Sequence, residues 1–308
     1  MSARMSVRPW LAAISLLAVL GHNTAIAAPP DAGPVPDARL TAPLAVPASG
    51  EIRVAFLLSA GAEVVDFAGP WGVFEYAFTG TDTHRPFKLY TVAATKDPVA
   101  VSGGLVVVPK YMFADAPAPD VVVVPALDLD QLAPAALDWL RAVQKSTAVT
   151  MSVCNGSFVL GQAGLLDGKT ATAHHGGYTS LRAEFPKVKV IRGVRYVEDG
   201  KIATAGGLTS GVDLALRVVE RYFGRAAAKQ TARNLEYQGT GWMHPESNAQ
   251  FAQRTVGTTE HPICPVCEME IDPKTEFKTE FEGKTYHFCG KWCQDHFVAN
   301  PRRYLDVN

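Results

Sequence analysis

The stretch VTMSVCNGSFVLGQAGLLDG, residues 149–168, is the part of the chain that most clearly indicates the fold. It begins as an apolar, partly β-branched run typical of a buried strand and ends as a run suited to a helix. Cys154, Asn155 and Gly156 form the corner between the two. Free N–H groups at a helix N-terminus favour a thiolate over a thiol, so this corner predicts a reactive cysteine. The alternative is a buried structural thiol, because a core cysteine usually behaves as a small hydrophobic residue.

Strand-length and helix-length segments alternate on both sides of this corner. The strand candidates are EIRVAFLLSA, FKLYTVAAT, LVVVP and DVVVVPAL, and several are nearly continuous in Val, Leu and Ile, as in strands covered on both faces. The helix candidates are LAPAALDWLRAVQ and SGVDLALRVVERYFGRAAAKQTARNLEY. This order predicts an α/β domain over residues 51–237 with a doubly wound, mostly parallel sheet. Ligands bind such sheets at the carboxyl ends of the strands, where Cys154 lies.

Composition and the N-terminal residues limit the function further. The chain has 308 residues, of which 47% are hydrophobic, and this suits one large core and a smaller module. A net charge of −1 without a long basic run makes nucleic acid an unexpected partner. Residues 1–27 combine arginines, an apolar run over residues 10–20 and Ala25-Ile26-Ala27, which predicts a cleaved Sec-type signal peptide. We therefore expect a periplasmic or secreted protein without stable membrane insertion, the alternatives being an uncleaved anchor or a chance apolar helix.

Two segments have the composition of linkers. Residues 28–50 are rich in proline and alanine, which favours extended chain. Residues 238–260 follow the point where the helix-forming pattern stops. The chain is thus divided into a signal peptide, a linker, a large domain, a second linker and a C-terminal module over residues 261–308.

Four blocks of the large domain occur in an order that resembles the ThiJ/PfpI family of the class I glutamine amidotransferase-like superfamily. They are VVDFAGPWGVFEYA, GLVVVPKYMFADAPAPDVVVVP, SVCNGSFVLGQAGLLDGKTATAHH and TAGGLTSGVDLALRVVERYFG. The resemblance is to the isonitrile hydratase-like branch, which also serves as the sensor half of AraC-type regulators. It implies a flavodoxin-like fold, a small-molecule substrate or ligand, no cofactor in the large domain, and a homodimer.

The resemblance also implies roles for individual residues. Cys154 matches the elbow cysteine, and Asp66 matches the acidic residue that hydrogen-bonds its sulfur and would carry the proton. His174 matches a histidine near the cysteine, and the N–H of Asn155 is an oxyanion donor. A helix N-cap is the alternative for Asp66, and a buried structural histidine is the alternative for His174. The predicted substrate pocket consists of Ala126, Gly156, Gly206 and Gly207.

The sequence departs from the family pattern next to the cysteine. Asn155 stands where peptidase-like members have histidine and hydratase-like members have threonine. A direct Cys-His pair is therefore missing, and no His-Glu pair of the amidotransferase type is evident, so we expect neither amidotransferase nor peptidase chemistry. Ala126 lies where the family commonly has glycine, and its N–H remains available as a donor.

The C-terminal module carries four of the five cysteines. A C-x2-C pair precedes a C-x3-C pair, and a hairpin around Glu282-Gly283 would bring the pairs together. This spacing predicts a tetrahedral thiolate metal site, with two disulfides as the alternative in an oxidising compartment. TYHFC and the ending NPRRY resemble a YHS domain, related to TRASH-type modules, which implies zinc or copper. The predicted ligands are Cys264, Cys267, Cys289 and Cys293, with His287 as an alternative to one cysteine.

These observations leave three functions. The first is an exported, cysteine-dependent hydratase- or hydrolase-like enzyme acting on a small molecule, with an attached metal module. The second is a non-catalytic metal or redox sensor of the cell envelope, in which Cys154 is oxidised or metallated. The third is a ligand-binding scaffold like the AraC sensor domains, although no helix-turn-helix pattern follows Tyr237.

Overall fold

A computed structural model describes residues 42–80 and 85–305. The predicted signal peptide and most of the first predicted linker lie outside the described residues. The described strands are β1 Ile52–Leu57, β2 Phe87–Ala93, β3 Val99–Ala100, β4 Val106–Val107, β5 Tyr111–Met112, β6 Val121–Val124, β7 Val149–Ser152, β8 Thr170–Ala171, β9 Lys189–Val190, β10 Tyr196–Asp199, β11 Ile202–Ala205, β12 Lys278–Phe281 and β13 Lys284–His287. The helices are α1 Val64–Glu75, α2 Pro134–Val143, α3 Gly156–Gln162, α4 Tyr178–Glu184, α5 Ser210–Asn234, α6 Lys291–Ala299 and α7 Arg302–Leu305.

The predicted doubly wound sheet is confirmed. Its seven strands run in the order β10-β11-β7-β6-β1-β2-β5, and only β10 is antiparallel to its neighbour. Every residue of β6 and β7 is buried, because helices cover both faces of the sheet. The chain leaves β1 in one direction along the sheet and later returns to β6 on its other side. The carboxyl ends of β1 and β6 therefore form the crevice in which such folds bind ligands.

One strand prediction fails. The run LVVVP contributes only β4, which pairs with β3 in a separate two-stranded ribbon. Val106 and Val108 are more than half exposed, whereas the equally apolar run of β6 is fully buried. An apolar run of this length fits a buried strand or an exposed ribbon equally well, and only the long-range pairing distinguishes them.

The long C-terminal helix of the large domain agrees with the sequence pattern except at one residue. Gly224 has φ 84° and ψ 166°, so it divides α5 into two helical parts. Only glycine adopts this combination without steric cost. No helix in residues 42–80 and 85–305 is both long and apolar enough to cross a bilayer.

The segment predicted as the second linker is bound to the large domain. The N–H of Trp242 donates to Asp213 at 3.0 Å, and the Trp242 carbonyl accepts from the Tyr196 hydroxyl at 2.8 Å. Trp242 is 3% exposed, and a 3-10 helix follows at Pro245–Phe251. This segment therefore connects the two domains while packing along the first of them.

The C-terminal module forms the predicted hairpin and two short helices. Strands β12 and β13 pair antiparallel, and both turn residues between them, Glu282 and Gly283, have positive φ. The small core of the module contains Cys264, Val266, Phe288, Cys293, Phe297 and Tyr304. Ala183 from α4 of the large domain packs into the same core.

Candidate active site and metal centre

Cys154 lies on a strained turn between β7 and α3. Its φ of 58° is in the left-handed region, which residues other than glycine seldom adopt. Its N–H donates to the Gly206 carbonyl at 2.9 Å, so the end of β11 holds the turn in place. Such a turn presents a side chain at the top of a parallel sheet, as in a nucleophile elbow. The residue is nevertheless largely buried, with 8% of its surface exposed.

Gly156 permits this turn because there is no space for a side chain. A Cβ at Gly156 would lie 2.2 Å from the Val124 carbonyl oxygen and 2.8 Å from that of Pro125. We expect Gly156→Ala to lower the free energy of unfolding by about 2 kcal/mol or more, since overpacking against backbone forces it to shift. Urea denaturation measures this, and Gly72→Ala in α1, where nothing lies within 4 Å of the added Cβ, is the matched control. Equal stability of the two variants would contradict the close packing at the elbow.

Asp66 lies in the first turn of α1 and is completely buried. Its Oδ2 accepts the Ala126 N–H at 3.0 Å, whereas its buried Oδ1 receives no hydrogen bond from the described residues. Burial, assisted by the charge of Glu63, raises the pKa of Asp66 to about 7, although the Ala126 N–H, the Leu208 N–H and the Cys154 thiol oppose the shift. Near neutral pH this carboxyl group can therefore both accept and donate a proton.

The Cys154 thiol is protonated at rest. Burial and then the nearby Asp66 raise the pKa of the thiol to about 12, against the opposing N–H groups of Asn155 and Leu208. The expectation that the helix N-terminus would favour the thiolate is therefore wrong for the resting site. Desolvation outweighs the N–H groups here.

The raised pKa of Asp66 has a consequence for stability. The folded-state value of about 7 exceeds the ordinary 3.8, so the folded protein binds this proton more tightly than the unfolded chain does. The contribution of Asp66 to the free energy of unfolding is fully present below about pH 4 and is lost as the pH rises through 7. We expect Asp66→Asn to remove this dependence, which amounts to roughly 4 kcal/mol between pH 4 and 8. Parallel stability curves for wild type and variant over that range would contradict the raised pKa.

The other predicted catalytic residue, His174, contacts the backbone of Gly176 and the ring of His175. Its Nδ1 accepts the Gly176 N–H at 3.1 Å, and its ring lies 4.0 Å from that of His175. Burial and then His175 lower the pKa of His174 to about 4, so the ring is neutral. A Cβ at Gly207 would lie 2.4 Å from the His174 ring, so this glycine permits close packing.

Two of the predicted pocket residues, Ala126 and Gly206, contact the site through their backbone. The N–H of Ala126 is used by Asp66, and the Gly206 carbonyl is used by Cys154. A cavity of about 300 Å³ lies next to the elbow, but none of the four predicted pocket residues lines it. Its walls are Leu127, Asp128, Leu129, Asp130, Asn155, Phe158, Gly176, Gly177, Ser180, Cys267 and Trp292.

Sequence reasoning missed two residues at the site. The backbone N–H of Leu208 lowers the pKa of both Asp66 and Cys154, and Leu208 itself has φ 48°. Glu63 lies three residues before Asp66, and its charge raises the pKa of both groups. The only signal for Leu208 was its place directly after the paired glycines.

The four cysteines of the module form one cluster. Their sulfur atoms all lie within 4.8 Å of one another, with Cys267 and Cys289 at 3.5 Å and Cys289 and Cys293 at 3.4 Å. All five cysteines are free, so the disulfide alternative is not what the structure contains. Hydrogen bonds from Cys267 and Cys293 lower the pKa of Cys264, and the same contacts with Cys264 raise the pKa of Cys267 and Cys293, so the thiolate lies on Cys264.

This cluster fits a metal ion. Zinc at about 2.3 Å from four thiolates would hold the sulfur atoms roughly 3.8 Å apart, close to the distances above. The burial of Cys264 and Cys293 and the exposure of Cys289 leave one open side. His287 does not belong to the cluster, since the four cysteines alone meet the distance requirement there. We find no support for His287 as a ligand.

The fold and these two sites define a doubly wound α/β domain with an elbow cysteine, followed by a small module whose four clustered cysteines could hold a metal ion. Residues 52–221 match the model of the DJ-1/PfpI family, and residues 263–307 match the YHS domain. The chain belongs to the DJ-1/PfpI family and carries a C-terminal YHS domain.

Known proteins agree with this assignment. An isonitrile hydratase from Pseudomonas putida is 33% identical over 193 residues, which cover 60% of this chain and 78% of that protein. The HTH-type transcriptional regulator CdhR of Pseudomonas aeruginosa is 28% identical over 151 residues, but these cover only 45% of the regulator. The crystal structure of a ThiJ/PfpI family protein from Pseudomonas syringae aligns with a TM-score of 0.54 at 28% identity, covering 71% of this chain and 84% of that one.

Proposed function

We propose that the large domain is a cysteine-dependent hydratase acting on small, electrophilic carbon compounds, with isonitriles as the leading candidates. The observation that carries this proposal is the pairing of an elbow thiol with a buried carboxyl group whose pKa is about 7. The similarity to an isonitrile hydratase supports the substrate class.

The chemistry divides between the two side chains. Ionised Asp66 takes the thiol proton and delivers it to the isonitrile carbon while the Cys154 sulfur bonds to that carbon, giving a thioimidate. Water then adds to the same carbon, the C–S bond breaks, and a formamide leaves as the thiol recovers its proton. The sum is R–NC plus water giving R–NH–CHO, with no oxidant or reductant. The N–H groups of Asn155 and Leu208 face the sulfur and stabilise negative charge there.

The direct test is turnover by the purified chain. We expect formamide to accumulate catalytically when the protein is incubated with a series of alkyl and aryl isonitriles and the products are followed by mass spectrometry. Product in amounts no greater than the enzyme concentration across the whole series would contradict the proposal.

A sensing role is the second candidate, and one observation favours it. The large domain matches part of a protein named as a transcriptional regulator, a role that needs no turnover. Burial also raises the pKa of Cys154, and a thiol with little thiolate at neutral pH is a weak nucleophile. If the domain is a sensor, we expect Cys154 to bind metal or become oxidised while the purified protein shows no hydration of isonitriles.

The YHS domain is proposed to hold zinc or copper through Cys264, Cys267, Cys289 and Cys293. A soft thiolate set suits zinc and copper(I), and the sulfur distances support a tetrahedral ion.

Export to the periplasm or the medium is proposed from the composition of residues 1–27 alone. N-terminal sequencing of the mature protein, with the first residue at Ala28, would support cleavage after Ala27.

A homodimer also belongs to the proposal. The ribbon formed by β3 and β4 leaves Leu105, Val106 and Val108 about half exposed or more, which is an apolar surface that a second copy could cover. Sedimentation equilibrium of the full chain would show whether the protein is a dimer.

A further inference from the structure

The YHS domain packs against the segment of the large domain that touches the elbow. This segment, residues 174–180, contains the 3-10 turn His175–Gly177 and the start of α4. A Cβ at Gly176 would lie 2.7 Å from the carbonyl oxygen of Cys267, so one of the four cysteines is in close backbone contact with it. The Ser180 hydroxyl donates to the Val266 carbonyl at 2.6 Å. Both Cys267 and Val266 belong to the first cysteine pair's turn.

Glu268, the residue after Cys267, fixes this contact with its charge. It is 8% exposed, and its carboxylate accepts two hydrogen bonds from Arg192, at 3.0 and 2.6 Å. It also accepts the hydroxyl of Thr179 in a short hydrogen bond and lies 3.9 Å from the Arg254 guanidinium. A bidentate arginine pair with little solvent is among the strongest polar contacts in proteins. Glu268 has φ 56°, so the turn that positions Cys267 also directs this carboxylate at the large domain.

The other side of the same segment touches the elbow at two points. A Cβ at Gly177 would lie 2.6 Å from the Asn155 side chain, and the His174 ring packs on Gly207. Gly207 precedes Leu208, whose N–H acts on both Asp66 and Cys154. The cysteine cluster and the elbow are therefore joined by continuous packing through residues 174–180, and the 300 Å³ cavity lies between them.

We propose that the YHS domain is a metal-dependent clamp on the elbow site, locked by the Glu268–Arg192 pair. Metal at the four cysteines fixes the turn that carries Cys267 and Glu268, and this turn then holds residues 174–180 against the elbow. Loss of the metal loosens the turn, the segment and the loop at Leu208 together. The inference rests on the proposed metal binding by the module, but not on turnover at Cys154.

Hydrogen exchange followed by mass spectrometry tests the clamp on the full chain, with and without one equivalent of Zn²⁺. We expect zinc to slow exchange at least threefold in peptides covering residues 172–180 and 204–210 of the large domain, as well as in the module. Iodoacetamide labelling of Cys154, read peptide by peptide, should slow by a similar factor. Zinc content is measured on the same samples, so failure to bind metal is seen separately and would overturn both the metal proposal and the clamp.

Glu268→Gln and Arg192→Gln each remove the Glu268–Arg192 ion pair, the first from the YHS domain and the second from the large domain. In both variants we expect zinc still to protect the module but no longer residues 172–180 and 204–210. Glu282→Gln is the matched control, because Glu282 lies in the same module, also has positive φ, and pairs with Arg302 at 2.9 Å on the exposed surface. Zinc protection confined to the module in wild type, or unchanged protection of the large domain in both lock variants, would overturn the clamp. If one variant fails to fold, the other decides.

Discussion

Replacement of Cys154 by serine is expected to lower kcat/KM for isonitrile hydration by at least about a thousandfold, because the hydroxyl is a far weaker nucleophile than the thiol. Asp66→Asn should lower kcat by roughly 10²–10⁴-fold, since the amide cannot carry the proton. Rates for purified variants at pH 7 measure both. The exposed Asp138, whose side chain is 76% exposed, provides a surface control as Asp138→Asn.

The two variants together test the pairing as well as the residues. Because thiol and carboxyl act on one proton, the double variant should lose little more activity than Cys154→Ser alone. Full activity in Cys154→Ser would contradict covalent catalysis at the elbow and leave sensing as the better account of the domain. Losses that multiply in the double variant would contradict a shared proton.

Replacement of Cys264 by serine is expected to lower the affinity of the YHS domain for Zn²⁺ by at least about a hundredfold. Cys264 is fully buried in the small core of the module, where a missing thiolate has no substitute. Structural zinc supplies about 10–16 kcal/mol in small zinc domains, so most of the module's stability depends on the four ligands. Competition with a chromophoric chelator on the reduced protein measures the affinity.

The fifth cysteine provides the control for this experiment. Cys154→Ser leaves the cluster intact, and we expect its zinc affinity and its thermal stabilisation by zinc to equal those of the wild type. Cys264→Ser should lose the zinc-dependent rise in Tm. Equal affinities in Cys264→Ser and wild type would contradict a four-cysteine site.

The sequence was sufficient wherever local pattern and chain order determine the outcome. The alternation of strands and helices predicts the parallel sheet. Cys154 at the end of a strand, with Gly156 two residues later, predicts the elbow, because a glycine at this position permits a tight turn from strand to helix. The hairpin at Glu282-Gly283 and the clustering of the four cysteines follow from the same kind of local rule. Four matching blocks in order then point to the family.

What the sequence did not yield depends on contacts between distant residues. The burial that raises the pKa of Cys154 exists only once α1, β11 and the elbow are assembled. Glu268 follows Cys267 as one charged residue among many, and only the fold brings Arg192 to it. The run LVVVP failed as a buried strand for the same reason, since its partner is the local strand β3.

The bound connection between the domains has a thermodynamic consequence. Ala252 in the connection contacts the large domain, where its carbonyl accepts a hydrogen bond from the Arg192 guanidinium at 3.2 Å. Two residues later Arg254 already donates to the Pro265 and Tyr304 carbonyls of the module. Because almost no free tether separates the two, docking is an intramolecular step at an effective concentration of about millimolar or more. A contact too weak to hold two separate proteins together is therefore enough to keep this module docked on the large domain. A mutation in the contact changes the fraction of time that the module is undocked, but the module still docks in the same place.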